Sequence, residues 1–112
     1  MSATQPNHVS VILDADGKLC CTPDPVVATG RNVHLTFSLQ AAGYTFPREE
    51  AIVVQQPGTQ FPEPSITKHA DTAVLRDKNT QAGYFKYNVN LVRSSDGQRV
   101  VIDPGISNPP RD

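Results

Sequence analysis

The run Tyr84-Phe85-Lys86-Tyr87-Asn88-Val89-Asn90-Leu91-Val92-Arg93-Ser94-Ser95-Asp96-Gly97-Gln98-Arg99-Val100-Val101-Ile102-Asp103 decides the fold. Apolar and polar residues alternate along 84–93, and a strand turns every second side chain to the same face, so Phe85, Tyr87, Val89 and Leu91 share one. Ser94-Ser95-Asp96-Gly97 is turn chemistry, with Gly able to take a positive φ at its end. A four-residue loop there pairs Arg93 with Gln98, Leu91 with Val100 and Val89 with Ile102. That register puts the apolar residues of both strands on one face, so turn and pattern specify the same hairpin.

Working outward, residues 8–13 place Val9, Val11 and Leu13 on one strand face. Asp14-Ala15-Asp16-Gly17 also ends in Asp-Gly, and residues 18–22 return. Transferring the four-residue loop of the second hairpin to the first pairs Leu13 with Lys18, Val11 with Cys20 and Val9 with Thr22. Cys20 is then expected inside and Cys21 outside. Residues 33–40 alternate cleanly, Val33, Leu35, Phe37 and Leu39 against His34, Thr36, Ser38 and Gln40. Residues 44–46, 51–55, 65–68 and 72–76 read as shorter strands. The Pro-rich stretch 56–64 reads as a surface loop and 77–83 as a polar connection. Residues 103–110 read as an ordered end that does not continue a strand, followed by a fraying tail.

The 112 residues suit one hydrophobic core, with ten prolines and seven glycines spread along the length, which favours short elements over long helices. The expectation is a single all-β domain over residues 1–112 with short flexible termini: a two-sheet immunoglobulin-like sandwich of seven or eight short antiparallel strands. Trp and the widely spaced Cys pair of antibody domains are missing, so only the architecture is implied.

Ten Lys and Arg stand against eleven Asp and Glu, scattered along the chain. Such a balance lacks the basic footprint of a nucleic-acid binder. The apolar runs, such as 9–13 and 51–54, fall far short of the roughly 20 residues of a membrane-spanning helix. The N-terminus has neither the basic start nor the apolar stretch of a secretory signal, so a cytoplasmic location is expected.

Asp24-Pro25 and Glu63-Pro64, with the ending Val100-Val101-Ile102-Asp103-Pro104, are similar to the DP-EP family of small bacterial proteins named for those two dipeptides. The resemblance covers most of the chain. It implies a compact β domain and no established activity.

No residue pattern organises a catalytic centre. The adjacent Cys20-Cys21 point to opposite faces of a strand and cannot jointly chelate one metal, so no metal or redox role is expected. His8, His34 and His69 have no ligand spacing, Glu49-Glu50 reads as a charged loop, and no Gly-x-Ser-x-Gly or phosphate-cradling loop is present. An enzyme is therefore not expected, nor a cofactor. An acid held extended before proline can accept a hydrogen bond from a neighbouring turn amide, which makes Asp24-Pro25, Glu63-Pro64 and Asp103-Pro104 strand terminators first. Phe61, flanked by proline-rich sequence, either forms a contact surface or plugs the end of the core. Asp24, Pro25, Phe61, Glu63 and Pro64 are the binding candidates. The functional expectation is a non-enzymatic protein-interaction module that meets a protein partner or a second copy of itself. The alternative is a small-ligand or metal-binding protein, or an enzyme, whose site assembles only in three dimensions.

Overall fold

The computed structural model describes residues 7–109. Eleven strands and no helix occur among them: β1 (His8–Leu13), β2 (Leu19–Thr22), β3 (Val26–Val27), β4 (Val33–Leu39), β5 (Tyr44–Thr45), β6 (Ile52–Val54), β7 (Ile66–His69), β8 (Thr72–Asp77), β9 (Gly83–Arg93), β10 (Arg99–Ile102) and β11 (Gly105–Asn108). They build a two-sheet β-sandwich. The first sheet runs β2-β1-β4-β8-β7. The second is built on β9, with β10 and β11 beside it, β3 beyond β11, and β5 and β6 also pairing β9. The expected flexible termini fall on residues 1–6 and 110–112, which lie outside the described residues.

The decisive hairpin has the register read from the sequence, with Leu91 opposite Val100 and Val89 opposite Ile102. Arg93 N donates to Gln98 O at 2.8 Å and Gly97 N to Arg93 O at 2.7 Å, which closes the four-residue loop. Tyr87, Val89 and Leu91 are fully buried, whereas Phe85, Val100 and Ile102 are half-buried, nearer the rim of the core than expected. From the first sheet Val9, Val11, Leu35, Phe37 and Leu75 face them across the sandwich. Phe37 and Tyr87 meet edge to face with ring centroids 5.5 Å apart, a geometry worth about 0.5–1.5 kcal/mol beyond its buried area.

Three expectations are corrected. The strand count is eleven because tertiary pairing creates short strands that have no alternating pattern of their own. β11 is one of them, in the stretch expected not to continue a strand. Arg99 to Ile102 lie opposite Val92 to Val89, and Gly105 to Asn108 opposite Lys86 to Gly83, in one unbroken register. β10 and β11 are thus two halves of one strand interrupted at Asp103-Pro104.

The sheets are mixed rather than antiparallel, since β1 pairs β4 and β3 pairs β11 in parallel. The chain leaves the first sheet after β2, adds β3 to the second, and returns to run alongside β1 in the same direction.

The cysteines are reversed. Val11 is opposite Cys21, Ile12 opposite Cys20 and Leu13 opposite Leu19. Asp14 N donates to Lys18 O at 2.8 Å, so Asp14 and Lys18 close the ladder over a three-residue loop. The Asp14 carboxylate then accepts the Asp16 and Lys18 amides at 2.8 and 2.9 Å. One residue fewer in the loop turns every side chain of the returning strand to the other face. Cys21 is buried at 8% exposure, Cys20 is half-buried on the outer face, and Leu13, expected inside, is 38% exposed.

Candidate functional site

A groove of about 240 Å³ opens between the two sheets. It is lined by β6, by Leu75 of β8, and by Pro57 and the run Phe61, Pro62, Glu63 and Pro64. Three of the five sequence candidates therefore meet here. The long loop is not simply a surface loop, because Gln60 is buried and fixes it from within. Gln60 Oε1 accepts the Thr80 and Gln81 amides at 2.7 and 3.1 Å, Gln60 Nε2 donates to Thr80 Oγ1 at 3.0 Å, and Gln60 O accepts Lys78 N at 2.8 Å. These bonds tie the loop to the 77–83 connection and aim the next residue, Phe61, inward. Its ring meets that of Phe85 edge to face at 5.0 Å. Of the two roles read for Phe61, the core plug is the one its burial fits, with one side of the ring still lining the groove. A second, more polar depression is lined by Gln55, Gln56 and residues 84–86, and so takes in Phe85 of this pair.

The backbone of β6 adds polar groups to this apolar groove. Asn90 N donates to Ala51 O and Gln55 N to Lys86 O, so residues 51, 53 and 55 face β9. In an antiparallel ladder the alternate residues then point away. Ile52 N is taken by Ser65 Oγ at 3.1 Å. Val54, which lines the groove, turns its N–H and C=O away from β9, and neither forms a backbone bond among the described residues.

Glu63 at the rim does not accept a turn amide, as had been expected. It pairs with Arg76 at 3.3 Å on β8, half in solvent. Asp24 does accept one, although not from a neighbouring turn: Gly105 N donates to Asp24 Oδ1 at 2.9 Å, across 81 residues of sequence. Asp24 and Pro25 are not part of the groove lining. They sit where the chain crosses between sheets, against the break that separates β10 from β11. The two dipeptides that carry the family resemblance thus do different work in different places.

Beneath that crossing, Cys21 faces the Tyr87 hydroxyl in a weak sulfur–oxygen contact, and Tyr87 Oη has no well-formed hydrogen bond among the described residues. Burial pushes the Cys21 thiol up to about 12, the Tyr87 contact opposes the shift, and the nearby Asp24 and Cys20 add to it. Burial likewise pushes Tyr87 upward. Both groups stay neutral at physiological pH and supply neither a thiolate nor a phenolate.

Sequence reasoning missed two polar arrangements. His8 Nε2 lies 2.9 Å from Ser38 Oγ on the outer face of the first sheet. This pair resembles a base and its nucleophile, yet it rests on an open sheet face, away from both depressions. His34 and His69 are exposed, and no group of three His, Cys, Asp or Glu among the described residues is placed to hold a metal ion.

The second arrangement is a buried polar knot. Asp77 Oδ1 accepts Asn79 N at 2.9 Å and Asn108 Nδ2 at 3.1 Å, while Asn79 Nδ2 donates to Gly30 O at 2.6 Å. These bonds clamp the ends of β8 and β11 to the chain after β3. Asp77 Oδ2 has no partner among the described residues, and burial pushes the carboxyl above its ordinary value of 3.8, against the opposing bonds from Asn108 and Asn79. The alternation of residues 72–77 carried the only signal for it, since Asp77 continues the inward series Ala73, Leu75. Set against known proteins, the chain matches no family and no curated protein.

Proposed function

We propose that this domain is a non-enzymatic protein-interaction module that receives an extended segment of a protein partner in the groove beside β6. The observation that carries the reading is the conjunction of an apolar lining with the outward N–H and C=O of Val54. An added strand needs backbone partners for affinity and a pocket for its alternate side chains. The occupant is an extended segment with one apolar side chain for the cleft between Phe61, Pro64 and Leu75, hydrogen-bonded through its backbone to Val54. A small-molecule reading of this groove fits less well, because such pockets usually enclose about 300–1,000 Å³ and this one holds about 240 Å³. The DP-EP resemblance is compatible with this module and contributes no activity.

The test uses short random peptides displayed in a library and panned on the intact protein. Selected peptides are expected to shift the amide resonances of β6 and to lose binding to Val54→Pro, which removes the outward N–H where no native bond exists. Peptides that bind Val54→Pro as well as wild type, or that shift resonances only elsewhere, would overturn the reading.

A further inference from the structure

We propose that β2 is a self-association edge: two copies of the chain pair antiparallel through Leu19–Thr22 about a two-fold axis at Cys20, joining two five-stranded sheets into one. The proposal rests on the reading of this domain as an interaction module, but on the edge at the other end of the first sheet from β7 and away from the groove.

The hydrogen-bond pattern fixes which groups β2 offers. Because Asp14 and Lys18 form a bonded pair, Ile12 with Cys20 and Ser10 with Thr22 are bonded pairs too, and Leu19 and Cys21 turn their N–H and C=O away from β1. Val11 agrees, since its carbonyl faces the other way and accepts Gln40 N at 2.8 Å. β2 ends its sheet. Among the described residues nothing bonds these four outward groups, and a row of unpaired donors and acceptors is a template for another strand.

One register satisfies all four on both chains. With Cys20 opposite Cys20 of the second copy, Leu19 of each chain faces Cys21 of the other, and both pairs exchange two bonds. A shift toward the C-terminus puts Pro23, which has no N–H, at a bonding position. A shift toward the N-terminus puts Gly17 there, at φ 79° inside the turn and not extended. In the favoured register Lys18 faces Thr22 rather than a second lysine, so no like charges oppose each other. The other outer strand of this sheet is less suitable, because β7 carries a bulge between Thr67 and His69.

The same register makes Cys20 a reporter. It occupies a non-hydrogen-bonded pair on the axis, where Cα atoms lie about 4.5 Å apart. That separation is within the roughly 4.4–6.8 Å that a disulfide spans. Cys21, facing the core, has no such neighbour.

Concentrated folded protein is incubated with oxidised glutathione, which accepts two electrons and the two thiol protons and leaves as two reduced glutathiones. The expected product is a covalent dimer at twice the 12.1 kDa chain mass, linked Cys20 to Cys20, lost in Cys20→Ser and retained in Cys21→Ser. Glutathionylated monomer alone, or a link through Cys21, overturns the proposal. Sedimentation supplies the non-covalent counterpart: Cys20→Ser should dimerise with concentration, and Cys20→Lys, which sets two ammonium groups across the axis, should remain monomeric. Equal dimerisation of the two variants also overturns it. Peptide binding at the groove is measured on Cys20→Lys in parallel, so that loss of the dimer and loss of the interaction reading are separate results.

Discussion

Asp24 accepts the Gly105 amide at 2.9 Å, and so joins the crossing between the sheets to the one interruption in the strand opposite β9. The bond gives a partner to a backbone N–H just past Pro104, in a half-buried position where an unpaired donor is costly. Asp24→Ala should destabilise the domain by about 1–2 kcal/mol, and Asp24→Asn, which keeps an acceptor oxygen, by less. Glu63→Gln, which weakens only a half-solvated ion pair, should cost under about 1 kcal/mol. Urea unfolding of the three variants checks the order, and equal losses at Asp24 and Glu63 would contradict it.

Phe61 is buried and packs edge to face on Phe85. Phe61→Ala removes the buried ring that packs on Phe85, and large cavities of this kind cost about 3–5 kcal/mol. Phe61→Leu should cost markedly less, since most of the volume is kept. Both can be compared by thermal unfolding, where a harmless Phe61→Ala would place the ring outside the core.

The two thiols should differ in reactivity. Cys21 is buried and held up to about 12, so it contributes almost no thiolate at neutral pH, whereas Cys20 is partly open to solvent. Brief alkylation of the folded protein should modify Cys20 and spare Cys21, with both reacting after denaturation. Peptide mass mapping decides, and early labelling of Cys21 would show the three-residue loop to be misassigned.

Asp77 links stability to pH with a definite sign. Its native value is raised, so the folded state holds the proton more tightly than the unfolded chain. The contribution is fully present below the ordinary value of 3.8 and is lost as pH rises through the native one. Asp77→Asn keeps the oxygen that accepts Asn79 N and Asn108 Nδ2, and replaces the unpartnered Oδ2 by an amide that bears no charge. The variant should therefore match or exceed wild type at pH 7, by about 1–2 kcal/mol if the burial cost is fully relieved, and the gap should close toward pH 3. Stability curves measured across that range test it, and a gap that widens in acid would refute the sign.

The sequence by itself determined the elements whose pattern and turn agree. Alternation marked β1, β4 and β9, and a four-residue loop between Arg93 and Gln98 fixed which side of the second hairpin faces the core. The first hairpin has the same Asp-Gly ending, yet its loop length depends on whether Asp14 pairs with Lys18, and local composition does not choose between the two closures. Tertiary structure made that choice, and with it which cysteine is buried. It also made β3 and β11, short segments beside prolines that become strands only because neighbouring strands offer them unpaired backbone groups. Phe61, Glu63 and Pro64 were legible as unusual residues in one loop, but their groove exists because β6 and β8, on different sheets, come together beneath it. Strand periodicity is a local property carried by side chains. Loop closure, parallel pairing and the meeting of distant residues depend on where the rest of the chain has already been placed.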